Sequence, residues 1–298
     1  MNVDHVNGDH LQRLLLEQAN VRCVIAHVDH VYRAVLERGR YPDLLARTLG
    51  ESLVVAALCS SGVKFEGRIS LQLRASGALK LLMADCTDAG GMRALARFDP
   101  EQMLGMQDFA EMASGGVLTM TVEPAGAGRM WQGIVPVEGA GMADAVAAYF
   151  DQSEQLPTRV VLAVTEGRAA GALVQRLPGT ASDADGWNRA CKLLDTVDAD
   201  ELLDTDAETL MQRLFHEERR RLFPARPLQF HCPCSRERVA RVLRALGAAE
   251  LDELIEARGE VEVSCEFCNE QYRFDALDVQ RVLHSDMPES DDEPGSIH

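Results

Sequence analysis

Two closely spaced pairs of cysteines near the C-terminus constrain this chain more than any other feature. Cys232 and Cys234 lie in "HCPCSRERV", and Cys265 and Cys268 lie in "VSCEFCNEQY". Four thiolate sulfurs that converge on one point form a ligand set that suits tetrahedral zinc. Each pair can also close a disulfide if its Cα atoms come within disulfide range. The spacing leaves open whether the sulfurs hold a metal, form disulfides or alternate between the two states.

The sequence around both pairs predicts that their sulfurs converge. Pro233 favours an extended backbone before it, which turns both sulfurs of the first pair to the same side. Ser235 can cap a following helix, and the dipole of that helix favours the thiolate form of Cys234. Apolar residues alternate on both sides of Cys265 and Cys268, which predicts a β-hairpin with this pair at its tip.

The cysteine module, residues 232–284, is too small to fold comfortably on its apolar core alone. Structural zinc supplies roughly 10–16 kcal/mol of apparent binding free energy, which in such a module is effectively the folding free energy. We therefore expect one Zn²⁺ per chain and unfolding of the module when the metal is removed. The expected ligands are Cys232, Cys234, Cys265 and Cys268.

Two other functions fit the cysteine spacing. A permanently zinc-bound module that binds partners, with no response to redox state, has the same ligands. A thiol–disulfide oxidoreductase of the thioredoxin type is the weaker alternative, because "CEFC" lies at a predicted hairpin tip rather than at the start of a helix after a strand.

The length of 298 residues suits about two folding units, and residues 1–178 are predicted to form an α+β domain. The segments "LQRLLLEQ" and "YPDLLARTLGESLVVAALCSS" have the apolar spacing of helices. The segment "VKFEGRISLQL" alternates as a strand does, and a turn at Ser76-Gly77 leads into a partner strand. More strand-like runs follow with a helix among them, which favours antiparallel sheets covered by helices.

The composition changes after the predicted N-terminal domain. Residues 179–231 are rich in charged side chains and form a helical connector with two candidate helices, "DGWNRACKLLDTV" and "DAETLMQRLFHEERRRLF". Their apolar stripes are too thin to stabilise isolated helices, so both must pack on another surface. The last residues, 285–298, are predicted to be a disordered acidic tail. The stripes consist of Trp187, Ala190, Leu193, Leu194 and Val197 in the first helix and Leu210, Leu214 and Phe215 in the second.

Charge and motifs exclude several function classes. The net charge of −17 argues against nucleic acid and anionic membranes as main partners. Neither a secretory signal nor an apolar run long enough to span a membrane occurs, so we expect a cytoplasmic protein, in which reduced thiols favour metal or redox roles. No phosphate-binding GxxxxGK[ST] motif and no local nucleophile–base pair occur, so we expect neither nucleotide binding nor enzyme activity. His27 and His30 lack further nearby ligands and are predicted to be solvated or capping residues.

Beyond these patterns, the chain from about His10 to Leu283 resembles a known family, the redox-regulated heat-shock chaperones called 33 kDa chaperonin. The resemblance is carried by "FHCPCSRERV", "CEFCNEQYRFDALDV" and "YFDQSEQLPTRVVLAV". The combination of a C-x-C pair, a C-x-x-C pair and an upstream "SEQLPT" segment is very specific.

The resemblance implies a molecular chaperone that holds unfolding proteins without ATP. It implies that the reduced, zinc-bound form is inactive, and that oxidative stress releases zinc and forms the disulfides Cys232–Cys234 and Cys265–Cys268. The connector then loosens, and the protein, as a homodimer, binds unfolding clients to prevent their aggregation, with residues 1–178 supplying client binding and dimerisation. A thinly striped connector beside a metal-dependent module fits such a switch, because zinc can bias a bistable element.

Four further thiols lie outside the two pairs. Cys23 occupies a position where the family usually has glycine, and Cys59, Cys86 and Cys191 are extra thiols. Because thiols outside metal and redox sites are commonly buried, we predict that these four are small buried side chains. An accessory redox role for them stays open.

Overall fold

The structure is a computed structural model that describes residues 8–62, 66–126 and 128–284. The chain divides into two compact units, Met1–His231 and Cys232–His298, here called the core unit and the cysteine unit. The predicted acidic tail, residues 285–298, lies outside the described residues, as do positions 63–65 of the predicted alternating strand.

The first sheet of the core unit is antiparallel and has the strand order β10-β1-β2-β9-β8, with β11 also paired to β1. Two neighbouring residues of β2, Val24 and Ile25, are both buried but in different apolar clusters, one on each face of the sheet. The sheet is therefore covered on both faces. Its strands are β1 (His10–Leu16), β2 (Val21–His27), β8 (Thr158–Thr165), β9 (Arg168–Arg176), β10 (Arg220–Leu222) and β11 (Arg226–Pro227).

The second sheet of the core unit has the order β12-β5-β4-β3-β6-β7 and is antiparallel except for the β12–β5 pair. The predicted hairpin around Ser76-Gly77 is confirmed as β3 and β4, with Leu73 opposite Leu82. The strands are β3 (Gly67–Arg74), β4 (Leu79–Thr87), β5 (Gly91–Phe98), β6 (Val117–Pro124), β7 (Trp131–Pro136) and β12 (Gln229–Phe230).

The predicted helix in "YPDLLARTLGESLVVAALCSS" is confirmed as α2 (Asp43–Ser60), which lies between the two sheets. Thirteen of its 18 residues are buried, and the nine apolar side chains among them, from Leu45 to Cys59, join side chains from both sheets in one apolar cluster. Pro42 precedes the helix, where its fixed φ is tolerated and its missing N–H costs nothing. The other helices of this part are α1 (Asp29–Leu36), α3 (Pro100–Met103), α4 (Phe109–Met112) and α5 (Met142–Tyr149), which continues into a π-helical turn, Phe150–Glu154.

The connector covers the opposite face of the first sheet with helices α6 (Gly186–Leu194), α7 (Ala199–Asp204) and α8 (Ala207–Leu214). Their apolar side chains form a second cluster with β1, β2, β8 and β9, here called the connector cluster. This cluster contains the predicted stripes. The prediction that these helices pack on another surface is therefore confirmed.

Two predictions of secondary structure are wrong. The segment "LQRLLLEQ" is not a helix but strand β1, in which Leu11 faces the α2 side while Leu14 faces the connector. A strand buried on both faces reads as a nearly continuous apolar run, which resembles a buried helix. The predicted connector helix through "HEERRRLF" ends at Leu214, and Arg220–Leu222 instead pairs with β1 as β10.

The described residues of the cysteine unit, 232–284, form a two-stranded sheet and three helices. The predicted cap and hairpin are both confirmed: the Ser235 hydroxyl accepts a hydrogen bond from the Arg238 amide, and Val261 pairs with Phe274. No helix among the described residues of the whole chain is long and apolar enough to cross a membrane. The elements are α9 (Arg236–Leu246), α10 (Ala248–Arg258), β13 (Glu260–Ser264), β14 (Gln271–Asp275) and α11 (Ala276–His284).

Candidate metal centre

The four cysteines of the two pairs meet in one cluster within the cysteine unit. Their sulfur atoms all lie within 4.8 Å of one another, and each residue is half-buried. Two of these distances join the pairs crosswise: Cys232 Sγ is 3.7 Å from Cys265 Sγ, and Cys234 Sγ is 3.2 Å from Cys268 Sγ. Among the described residues, this is the one group of three or more His, Cys, Asp or Glu side chains with metal-binding proximity.

The first pair is held by the start of helix α9. The Ser235 Oγ accepts a hydrogen bond of 3.3 Å from the Arg238 backbone amide, which satisfies one of the free amides of the first helical turn. The Arg238 guanidinium donates to the Pro233 carbonyl at 3.1 Å. Hydrogen bonds thus hold Pro233, which lies between the two cysteines, and Ser235, which follows them. The two sulfurs therefore have little freedom to turn away from each other.

The second pair sits at the tip of the β13–β14 hairpin. The Cys265 amide donates to the Glu270 carbonyl at 2.9 Å, and the Asn269 amide donates to the Cys265 carbonyl at 2.7 Å. Asn269 has φ of 61°, the left-handed conformation that asparagine tolerates better than most residues. The backbone amides of Phe267 and Cys268 also hydrogen-bond the Cys265 sulfur, an interaction that favours its thiolate form.

Tyr272 is a partner of the cluster that the sequence analysis missed. Its hydroxyl donates to Cys234 Sγ at 3.2 Å, and this contact raises the pKa of the tyrosine. The alternation in β14 indicated only that Tyr272 lines the hairpin. Its reach to a sulfur of the other pair depends on the tertiary fold. Groups that hydrogen-bond metal ligands orient those ligands and tune their basicity.

The protonation of the cluster reflects the crowding of its sulfurs. Contact with the Cys232 thiol, followed by burial, raises the pKa of Cys265. Burial is the main cause that raises the pKa of Cys268 to about 11. Thiolates this close repel one another, and a divalent cation among them would remove that repulsion.

The sulfur geometry fits a metal ion. In a tetrahedral site with metal–sulfur distances of about 2.3 Å, the sulfurs are separated by about 3.8 Å. The distance of 3.7 Å matches this value, and the range from 3.2 Å to 4.8 Å that the four sulfurs occupy brackets it. The four-cysteine cluster can therefore hold a metal ion, and soft thiolate donors favour zinc over magnesium or calcium.

The structure brings no other predicted candidate to this cluster. His27 stacks on His10 with ring centroids 5.3 Å apart and lies 3.0 Å from the Leu202 carbonyl, while His30 lies 3.1 Å from a carboxylate oxygen of Asp9. His30 is exposed, as predicted for a solvated histidine, whereas His27 is half-buried and lies against the connector rather than in solvent.

The four thiols outside the pairs are mostly buried, as predicted. Cys23, Cys59 and Cys86 are buried in the core unit. The prediction is wrong in part for Cys191, which is half-buried at the edge of the connector cluster.

Comparison with known proteins gives one consistent result. The family model described as "Hsp33 protein" matches residues 9–275. The 33 kDa chaperonin of Methylobacillus flagellatus is 41% identical over 289 residues, covering 95% of this chain and 98% of that protein. The 33 kDa chaperonin of Pseudomonas aeruginosa strain LESB58 is 42% identical over 284 residues, covering 93% and 95%.

The fold also matches a solved structure. The crystal structure of the 33 kDa chaperonin (heat shock protein 33 homolog) of Thermotoga maritima aligns with a TM-score of 0.80 and 22% sequence identity. The alignment covers 93% of this chain and 98% of that one. At this level of identity the likeness concerns the fold alone.

Proposed function

The chain belongs to the Hsp33 protein family and is an Hsp33-type chaperone, and we propose that oxidation of its four clustered cysteines switches its activity on. Its partners are unfolding client proteins, which it holds without ATP. The observation that carries the proposal is the convergence of four sulfurs within 4.8 Å in a unit that has only a small apolar core among its described residues.

In the proposed inactive state, Cys232, Cys234, Cys265 and Cys268 are reduced and bind one Zn²⁺ per chain. Zinc supplies binding free energy that the small apolar cluster of the unit cannot replace. Tyr272 and the amides at the hairpin tip hold the sulfurs in position. A reducing cytoplasm maintains this state.

In the proposed activation, each pair of thiols becomes a disulfide, Cys232–Cys234 and Cys265–Cys268. Each bond forms with the loss of two protons and two electrons, which reduce one hydrogen peroxide to two waters. Disulfide sulfurs no longer bind zinc as thiolates do, so the ion leaves. The sulfurs of different pairs approach to 3.7 and 3.2 Å, whereas a disulfide holds the two sulfurs of one pair about 2.05 Å apart, so formation of the within-pair bonds rearranges the four-sulfur cluster. This supports a mechanism in which oxidation and unfolding of the cysteine unit occur together.

Release of the connector, residues 179–231, then exposes the client-binding surface. The connector helices have nine, six and eight residues, which is too short for stability without tertiary packing. The ion pairs that link connector and sheet, such as Arg168 with Asp204, are partly exposed and contribute little. The connector is therefore held mainly by its apolar cluster. We propose that the uncovered face of the first sheet and the freed stripes bind clients.

The remaining parts of the proposal follow the same division of the chain. Residues 1–178 form the client-binding and dimerisation domain, residues 179–231 the redox-sensitive linker and residues 232–284 the zinc module. The oxidised protein acts as a homodimer. Nucleotide takes no part in the cycle, and the protein has no enzymatic role in it.

The proposal is tested by measuring zinc, thiols and chaperone activity in the same samples. Reduced protein should contain one zinc per chain, expose eight thiols on denaturation and leave the aggregation of a thermally unfolding client unchanged. Peroxide with mild heating should release the zinc, remove at least four thiols and suppress aggregation without added nucleotide. Reduction with dithiothreitol and added zinc should reverse all three.

Two outcomes would replace the proposal with another function. Metal that stays bound, or whose loss merely inactivates the protein, would indicate a zinc-bound interaction module without a redox switch. Catalytic turnover in an insulin-reduction assay would indicate a thiol–disulfide oxidoreductase.

A further inference from the structure

A second pair of thiols lies between the first sheet and the connector. Cys23 in β2 pairs with Val174 in β9, and Val174 pairs with Arg159 in β8. Residues directly opposite one another in an antiparallel sheet project from the same face. Cys23 and Val174 belong to the connector cluster, so this row of three side chains faces the connector.

Helix α6 crosses this row. At its start, Gly186 packs against Ala19 in the turn between β1 and β2, so closely that a Cβ on the glycine would lie 2.4 Å from that of Ala19. At its end, Asp195 accepts a hydrogen bond of 2.8 Å from the Arg159 guanidinium. The helix therefore runs from the β1–β2 turn, across β2 and β9, to β8.

The other thiol, Cys191, lies on the side of α6 that packs against the connector cluster. It precedes Asp195 by one helical turn, so both side chains are on the same side of α6. One turn advances about 5.4 Å, slightly more than the spacing of about 4.8 Å between strands. With Asp195 bonded to Arg159 of β8, Cys191 is placed about one strand away, above β9, and the neighbouring strand β2 carries Cys23.

The electrostatics of Cys23 agree with this placement. Burial raises the pKa of Cys23, and the nearby Cys191 thiol adds to the increase. Burial is also the main cause that raises the pKa of Cys191, although that residue remains half-exposed.

We propose that Cys23 and Cys191 form a second redox pair, whose disulfide fastens helix α6 to the first sheet and opposes release of the connector. The effect on the connector rests on the proposed function, whereas the bond itself does not. The two oxidations would then act in opposite directions: the cysteine cluster opens the molecule, and this pair limits the opening.

The reaction requires a peroxide as oxidant. The half-exposed Cys191 thiolate attacks hydrogen peroxide, takes up one oxygen as a sulfenic acid and releases water. The Cys23 thiolate then attacks the Cys191 sulfur, and the hydroxyl group leaves as a second water with the proton that Cys23 gives up. In total, two thiols and one peroxide give one disulfide and two waters. Because Cys23 is buried, the second step waits for local opening of α6, so the bond forms more slowly than an exposed disulfide.

The experiment uses the full-length protein and needs no variant for its first result. The reduced protein is treated with hydrogen peroxide at mild heat, blocked with N-ethylmaleimide and digested without reduction. We expect mass spectrometry to detect a peptide that links Cys23 to Cys191. The same peptide should form in Cys59→Ala, a matched loss of a buried thiol outside this pair, and should be lost in Cys191→Ser.

The same samples test the effect on the connector. After oxidation, a protease should cleave the connector of Cys191→Ser at least about tenfold faster than that of the unsubstituted protein, because the linked form resists opening. Zinc release should be equal in both proteins. Cys191 that is alkylated, over-oxidised or linked to another cysteine, without the expected peptide, would overturn the proposal, as would equal cleavage rates. Failure of zinc release in every sample would count against the proposed function alone.

Discussion

The described residues of the core unit form two apolar clusters with 42 and 18 buried residues, whereas those of the cysteine unit form one cluster of six. The six are Val239, Leu243, Leu251, Val261, Phe274 and Val279. A full helix, α2, fills the space between two sheets in the core unit. The cysteine unit has, beside its six-residue cluster, four half-buried cysteines whose sulfurs lie within 4.8 Å of one another.

This difference assigns the two units different sources of stability. Burial of an apolar side chain contributes roughly 1.5–3 kcal/mol, so the core unit can offset its chain entropy through packing. Six such side chains cannot do so for a unit of more than fifty residues, and a structural zinc site would add roughly 10–16 kcal/mol of apparent binding free energy to that unit. The connector lies between these extremes, because it belongs to the core unit but depends on the smaller of its two clusters.

The largest effect is expected from removing the metal. A strong zinc chelator added to the reduced protein should unfold the cysteine unit and leave the core unit folded. Hydrogen exchange can separate the two: amides of β13 and β14 should lose their protection, while amides of α2 keep theirs. The loss corresponds to roughly 10 kcal/mol of binding free energy.

Added zinc should restore the protection under reducing conditions, which is the control for damage by the chelator. The amides of β13 and β14 could instead stay protected after the metal is removed and the four sulfurs are paired. The six-residue cluster would then be sufficient to keep the cysteine unit folded, and the two units would not differ in their source of stability.

A single cavity in the connector cluster should destabilise the packing of the connector on the first sheet. Leu210→Ala removes a fully buried side chain, and such changes cost about 2–5 kcal/mol. We expect the connector to open at a lower temperature and a lower peroxide concentration, with the core between the sheets unaffected. Client aggregation and protease cleavage of the connector measure this shift.

The matched control is Leu104→Ala, because Leu104 is 82% exposed and its truncation leaves no cavity. If both variants open at the same temperature and the same peroxide concentration, the connector cluster takes no part in the switch.

Much of this contrast was predictable from the sequence, because each unit has a strong local signal. The cysteine spacing, the Ser235 cap and the alternation around the hairpin predicted the cysteine unit. The alternation of apolar and polar residues predicted β3 and β4, because a repeat of two residues is typical of a strand and not of a helix. Strand β1 was misread as a helix because both of its faces are buried, which removes the alternation.

The features that escaped the sequence are those that depend on tertiary register. The contact of Tyr272 with Cys234 joins residues of different elements, and no local pattern indicates it. The crosswise proximity of the sulfurs is of the same kind. That Cys191 of α6 packs in the same apolar cluster as Cys23 of β2 requires knowing where α6 lies on the first sheet, which the apolar stripe of α6 alone does not specify.

A smaller effect is expected from the partner of the cysteine cluster. Tyr272→Phe removes the hydroxyl that donates to Cys234 while keeping the ring. Loss of such an outer contact typically weakens metal binding about 10–100-fold, so zinc should pass to a competing chelator at a correspondingly lower chelator concentration. Tyr32→Phe is the matched control, because the Tyr32 hydroxyl donates to the Ala46 carbonyl in the core unit. Equal zinc affinity of both variants would show that the hydroxyl does not support the cluster.

The smallest effect is expected from pH, through the contact of His27 with the connector. Burial lowers the pKa of His27, and the nearby His10 and Arg168 lower it further. The Leu202 carbonyl and Asp29 act in the opposite direction and raise this pKa. A lowered pKa in the docked state means that the released state binds the proton more readily. The docked connector is therefore fully stable above the ordinary histidine pKa of about 6.5 and loses stability as the pH falls below it.

For one titrating group this loss has a slope of at most about 1.4 kcal/mol per pH unit. In Trp131→Phe protein, Trp187 in α6 is the one remaining tryptophan, and its fluorescence during denaturation reports connector release at each pH. We expect His27→Gln to flatten the dependence below pH 6.5, since glutamine can still donate to the Leu202 carbonyl but does not titrate. His216→Gln, at an exposed histidine of the connector, should leave the slope unchanged. If His27→Gln keeps the full slope, the acid sensitivity of the connector belongs to other titrating groups, and the contact of His27 with the connector does not contribute to it.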